Sequence, residues 1–215
     1  MKESNKVPKD GIPYSTIVRL TQYLRVIERL DAIGVTTISS QELAEEAQVN
    51  SFLVRKDFSY FGEFGTRGVG YEVANLRREL RKVLGLTKPR QAVLVGAGNL
   101  GGALMRYPGF IEKGFHIVAV FDSDPEKIGK VVWGHDVLSV FQLDRFMDDH
   151  PDVEIGIMTV PNFSAQYVAN LLVAHGIKGI LNFAPLPLEI PENVVNISVD
   201  LTTHLEVISY YINKR

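Results

Sequence analysis

Three glycines constrain this chain more than any other feature. Gly96-Ala97-Gly98-Asn99-Leu100-Gly101 follows the apolar run Ala92-Val93-Leu94-Val95, the order strand, tight turn, helix start that a dinucleotide-binding unit requires. Gly96 permits the turn, Gly98 lets backbone approach a pyrophosphate, and Gly101 lets the next helix pack close to the sheet. The helix start, with Ala97, Asn99 and Leu100 around the glycines, adds unpaired N–H groups for phosphate. Phe121-Asp122 then ends a second apolar run, 26 residues after Gly96, near the ~20-residue offset of the acid that accepts ribose hydroxyls. A carboxylate there repels a 2′-phosphate, and no arginine replaces it, so the reading is NAD(H) rather than NADP(H). The same glycines also fit a flavodoxin-like strand–helix turn, or FAD.

From Gln91 onward the pattern alternates. Apolar runs predict strands at 91–95, 117–121, 153–160, 177–183 and 194–199, with helices near 99–107, 139–148 and 164–175. This predicts an α/β fold, a Rossmann-like doubly wound parallel sheet with helices on both faces. Ligands bind such sheets at the carboxyl ends of strands. Thr159-Val160-Pro161 and Asn182-Phe183 therefore join the candidate cofactor residues; the bland alternative is that the nearby prolines merely end strands. The last segment repeats Leu201, Leu205, Ile208 and Ile212 at helical spacing. Such a stripe must pack on its own sheet or on a second subunit.

Ninety-five residues precede Gly96, whereas a plain dehydrogenase opens with the glycine unit. Ile17, Leu20, Leu24, Ile27 and Leu30 predict a helix over about 15–31, ended by Gly34. Ser39-Ser40-Gln41-Glu42 has capping-box form ahead of a short helix, and Asn50 is suited to cap the next. That third helix, about 51–60, places Val54, Phe58 and Phe61 on one side. Phe52, Arg55, Lys56 and Ser59 fall on the other. Glycines at 62, 65, 68 and 70 surround Arg67, as at a hairpin tip. A helix over about 73–84 and a linker around Pro89 complete the segment.

Two short helices joined by a tight turn and followed by such a hairpin form a winged helix-turn-helix pattern. Ser51, Phe52, Arg55, Lys56 and Ser59 are the candidate DNA-facing residues, with Arg55 and Lys56 reaching the major groove and Arg67 a narrow minor groove. The alternative is a helical partner-binding domain with a solvated Arg-Lys pair. The expected domains are 1–85 for DNA, 86–199 for NAD(H) and 200–215 for dimerisation. Charge agrees only weakly: residues 1–85 hold 13 Lys and Arg against 11 Asp and Glu, the remainder 10 against 14.

Composition excludes several classes. The chain has no cysteine, so disulfides, thiolate metal sites and cysteine nucleophiles are out. Its five histidines show no metal-ligand spacing, and no metal is expected. Met1 to Asp10 is unlike a signal peptide, and no apolar run approaches the ~20 residues of a membrane helix. A cytoplasmic protein with no membrane partner is the expectation. Tyr210 and Lys214 have Tyr-x-x-x-Lys spacing but follow all the strands, so no catalytic residue is assigned.

The stretches Arg55-Lys56-Asp57-Phe58-Ser59-Tyr60-Phe61-Gly62 and Gly65-Thr66-Arg67-Gly68-Val69-Gly70-Tyr71 resemble the Rex family of redox-sensing transcriptional repressors. So do the glycine loop with Tyr107 and Gly109, and Ile180-Leu181-Asn182-Phe183. The resemblance runs from Pro13 onward. It implies a homodimer that binds inverted-repeat, double-stranded operator DNA, with NADH releasing the DNA and NAD+ permitting binding. It also implies a C-terminal helix swapped between subunits, and a polar link of Arg25, Tyr107 and Asp200 between DNA heads and cofactor domains. Two rivals stand beside it: an NAD-dependent oxidoreductase with a helical N-terminal accessory domain, and a module that binds NAD without touching DNA.

Overall fold

The computed structural model describes residues 11–62, 64 and 70–214. They fall into two compact units, one up to Lys88 and one from Pro89 onward.

The first unit holds α1 (Tyr14–Ala32), β1 (Thr37–Ile38), α2 (Ser40–Glu46), α3 (Ser51–Ser59), β2 (Tyr71–Glu72) and α4 (Val73–Val83). Leu20, Tyr23, Leu24 and Ile27 of α1 are buried at helical spacing and share a core with Leu76 and Leu80 of α4. Both expected caps are present. Ser39 Oγ accepts the Glu42 N–H at 3.1 Å while Glu42 Oε2 accepts the Ser39 N–H at 2.8 Å, and Asn50 Oδ1 accepts the Phe52 N–H at 2.7 Å. Phe58 docks α3 among the rings of Tyr23, Phe64 and Tyr71, with centroids 5.6, 5.0 and 5.2 Å away. β2 pairs antiparallel with β1, which ties the chain after α3 back to the segment ahead of α2. Arg67 lies outside the described residues.

The second unit holds β3 (Arg90–Val95), α5 (Asn99–Met105), α6 (Pro108–Glu112), β4 (Phe115–Asp122), β5 (Val131–Val132) and β6 (His135–Ser139). It continues through α7 (Leu143–Asp149), β7 (Val153–Met158), α8 (Asn162–Ala174), β8 (Gly179–Asn182), β9 (Val195–Ser198) and α9 (Leu201–Ile212). The sheet order is β5-β6-β4-β3-β7-β8-β9, parallel throughout except for β5. Alternate strand residues enter opposite layers: Val93, Val95, Ala119 and Phe121 face α7 and α8, whereas Ala92, Leu94 and Val120 face α5 and α6. The doubly wound architecture follows from that two-sided burial.

Three local features were not anticipated. β6 is short and mixed in polarity, and it forms because the Trp133-Gly134 turn, both residues at positive φ (54° and 82°), folds β5 back onto it. α6 begins on Pro108, whose missing N–H is harmless at a first helical position. The strand expected over 153–160 ends at Met158. Among the described residues, no helix is long and apolar enough to cross a membrane. Nor does any group of three His, Asp or Glu form a candidate metal site. α9 buries none of its residues, so its apolar stripe does not lie on its own sheet.

Candidate functional site

The turn after β3 is built by close backbone approach. Gly96 adopts φ 107°, and a Cβ there would lie 2.6 Å from the Thr159 carbonyl oxygen. A Cβ on Gly101 would lie 2.0 Å from the Gly96 carbonyl oxygen. Thr159 clamps the same turn, its hydroxyl donating to Gly96 O at 2.7 Å and its N–H to Val95 O at 2.9 Å. Gly98 differs: a Cβ there would meet nothing within 4 Å. Two glycines are therefore needed by the fold, while the third leaves open space.

That space belongs to a cavity of about 460 Å³, the size of a small-molecule site. Of the expected cofactor residues, Gly96, Gly98, Asp122, Thr159, Val160 and Pro161 line it. It opens at the carboxyl ends of β3 and β7, the position at which the strand order reverses. Ala97, Asn99 and Leu100 flank the loop, and Gly101 is buried behind it. Asn182 and Phe183 do not line the cavity. Asn182 is fully buried, accepting the Ala184 N–H at 2.9 Å and donating to Leu186 O at 3.3 Å, and Phe183 packs on the sheet core.

Asp122 is already engaged. Its Oδ2 accepts the Ala97 N–H at 2.8 Å and the Lys127 ammonium at 3.1 Å, and its Oδ1 accepts the Asp124 N–H at 2.9 Å. Burial pushes this carboxyl up, but those donors outweigh burial and hold it below the ordinary carboxylate range. Lys127 in turn is raised by its bond to Asp122. Lys127, Phe141, Phe163 and Tyr167 also line the cavity and were missed in the sequence. Phe141 and Phe163 are 77% and 90% exposed. The signals were an Asp-x-x-x-x-Lys spacing and an aromatic pair four residues apart on the first turns of α8.

In the first unit, α3 buries Val54, Asp57 and Phe58 and turns Phe52, Arg55, Lys56 and Ser59 outward, with Ser51 half-buried. Arg55 donates to Ser40 Oγ at 3.1 Å. Ser59 Oγ donates to the Lys56 carbonyl at 2.7 Å. Asp57, fully buried, sits behind this face and anchors it. Arg19 grips it with two bonds of 2.6 Å, Tyr23 donates at 2.9 Å and Thr16 at 3.0 Å. Burial raises the Asp57 carboxyl, and the Arg19, Tyr23 and Thr16 donors bring it below its ordinary value. The Tyr23 phenol is pushed up, first by burial and then by its bond to Asp57.

Of the remaining expected residues, Arg25 and Tyr107 are exposed and Asp200 is half-buried. Arg25 lies on α1 in the first unit. Tyr107 caps α6 and packs edge-on against Phe110 at 5.4 Å. Asp200 caps α9, accepting the Thr202 N–H at 2.9 Å and hydroxyls of Thr202 and Thr203 at 2.6 and 3.1 Å. Those bonds, Thr202 first, hold its carboxyl low.

Comparison with known proteins agrees with both units. A family model described as "CoA binding domain" matches residues 87–186, and one described as "Putative DNA-binding protein N-terminus" matches residues 11–59. The redox-sensing transcriptional repressor Rex of Carboxydothermus hydrogenoformans is 51% identical over 203 residues, covering 94% of this chain and 97% of its own. The crystal structure of RSP, a Rex-family repressor, in complex with beta-NAD+ and operator DNA is 37% identical with a TM-score of 0.90, covering 94% and 93% of the two chains. RSP in complex with beta-NADH is 36% identical with a TM-score of 0.85, covering 96% of each. These relatives are repressors and not enzymes.

Two outcomes are expected. Asp57→Asn leaves Arg19 without its counter-charge and costs about 3 kcal/mol, read as faster amide hydrogen exchange in α1 and α3. Because the folded Asp57 value is depressed, its stabilisation is complete above the unfolded value of ~3.9 and is lost as pH falls through the lower folded one. The substitution should remove that acid-side slope. In the second unit, Gly101→Ala should lower the melting temperature by several degrees, whereas Gly98→Ala should leave it nearly unchanged; equal effects would contradict the division between the two glycines.

Proposed function

The chain belongs to the Rex family of redox-sensing transcriptional repressors, and from that premise we propose that it is a cytoplasmic repressor whose grip on operator DNA is released when NADH replaces NAD+. The observation that carries this reading is the coexistence, in one chain, of the outward cationic face of α3 with a cavity lined by both Gly98 and Asp122.

On the DNA side, Arg55 and Lys56 suit base edges and phosphates of the major groove, with Ser51, Phe52 and Ser59 flanking them. Arg67 suits a narrow minor groove. The rigid mounting of Asp57 on Arg19 and Tyr23 keeps that face in one orientation. On the cofactor side, Gly98 leaves room for a pyrophosphate, Asp122 accepts a ribose hydroxyl, and Thr159, Val160 and Pro161 wall the pocket. Asn182 and Phe183 hold the neighbouring strand end.

The stripe of α9, with Leu205 at 66% and Ile212 at 65% exposure, supports a homodimer in which α9 packs on a second copy. Two recognition helices then read an inverted repeat of double-stranded DNA. Arg25 in one unit and Tyr107 and Asp200 in the other are polar and solvent-accessible, Asp200 only in part, as a link between DNA heads and cofactor units requires.

Bound NAD(H) supplies a ring that is cationic when oxidised and neutral when reduced. Apolar walls such as Val160 and Pro161 disfavour the cation. The two forms shift the dimer only through their differential affinity for its arrangements; a tenfold ratio is about 1.4 kcal/mol.

An electrophoretic shift assay on inverted-repeat DNA tests the whole reading. The expected result is binding with NAD+ and release with NADH. Binding that NADH leaves untouched would overturn the sensing half, and no binding with either form would overturn the repressor half. Lys56→Ala or Arg67→Ala should weaken operator binding at least tenfold while NADH affinity is kept. Gly98→Val should stay on DNA when NADH is added.

A further inference from the structure

The acid that selects the cofactor has a cation in its grasp. Asp122 and Lys127 both line the cavity, joined at 3.1 Å, and the same ammonium lies 3.6 Å from Asp124 Oδ2. A carboxylate offers about four lone-pair sites. Three of those on Asp122 are taken by Ala97 N–H, Asp124 N–H and Lys127 Nζ. A vicinal diol has two hydroxyls to place, and Asp122 retains room for one. Lys127 has three N–H donors, of which Asp122 takes one, while Asp124 Oδ2 at 3.6 Å is an ion-pair neighbour beyond hydrogen-bond length. Its side chain is 37% exposed, enough to present a second donor to the cavity.

We propose that Lys127 is a specificity-determining residue of the nucleotide site: it donates to the adenosine ribose and, by neutralising Asp122, sets how strongly the site rejects a 2′-phosphate. The proposal rests on the NAD(H) reading above. With Lys127 present, the Asp122–Lys127–Asp124 group carries a net charge of −1, a modest barrier to an incoming phosphate. Without the ammonium it carries −2, with both charges at the same pocket wall. Asp122 alone would thus be a harsher filter than Asp122 with Lys127.

The test is binding of NADH and NADPH to full-length protein, by calorimetric titration at low salt, for the wild type and for Lys127→Met, Lys127→Arg and Gly98→Val. Lys127→Met keeps a side chain of similar length without the charge. NADH affinity should fall a few-fold, the worth of one hydrogen bond, and NADPH affinity should fall at least tenfold further. Lys127→Arg should restore the wild-type ratio. An unchanged NADPH-to-NADH ratio in Lys127→Met, or a ratio that shifts toward NADPH, overturns the assignment of Lys127. That result, with Gly98→Val binding neither nucleotide, leaves the site reading standing. Gly98→Val binding NADH as the wild type does would overturn the site reading, and this proposal with it. Circular dichroism confirms that each variant is folded before titration.

Discussion

The second unit depends on one contact, the meeting of the β3 turn with the end of β7. Thr159 donates through both its N–H and its hydroxyl to the last carbonyls of β3, and Gly96 and Gly101 approach closely enough that neither tolerates a Cβ. Three consequences follow from it. α5 sits directly on the sheet, the ends of β3 and β7 stay in register, and the cavity opens beside Gly98 where the backbone is bare. A glycine motif is usually described by what it binds. Here two of its three glycines answer first to packing, and Gly98 alone of the three faces open space.

In the first unit a buried charge has the same organising role. Asp57 lies on α3 between Lys56, which faces solvent, and Phe58, which enters the core. Four hydrogen bonds from three residues of α1 fix its carboxylate. An uncompensated charge there would cost several kcal/mol, so the network specifies a single rotation of α3. The cationic face proposed to meet DNA is thereby aimed by an acid buried behind it. Stability and recognition are joined through one side chain.

Much of this was legible in order along the chain. Ser39 and Asn50 capped the expected helices because capping is local chemistry between residues two or three apart. The β3–α5 unit and Asp122 were readable for the same reason: spacing in sequence translates directly into geometry when an element is regular. Asp57, Lys127, Phe141 and Phe163 were not readable in this way. An aspartate inside Arg-Lys-Asp reads as a surface charge until α1 brings Arg19, Tyr23 and Thr16 to it from 34 to 41 residues away. Lys127 reads as solvated until the loop after β4 folds it onto Asp122. β6 went unseen because its pairing comes from a turn and a neighbour, not from its own apolar pattern.

The amino-acid sequence alone determined the class of fold, the two-part organisation, the glycine turn, the helix caps and the likeness to a repressor family. These rest on interactions spanning a few residues or on periodic burial. Only the tertiary structure decided which glycine is free, that Asp122 is shared with Lys127, that Asp57 anchors the α3 face, and that the α9 stripe is left uncovered. Those outcomes depend on groups distant in sequence meeting at hydrogen-bond range, and spacing along a chain carries no record of such meetings.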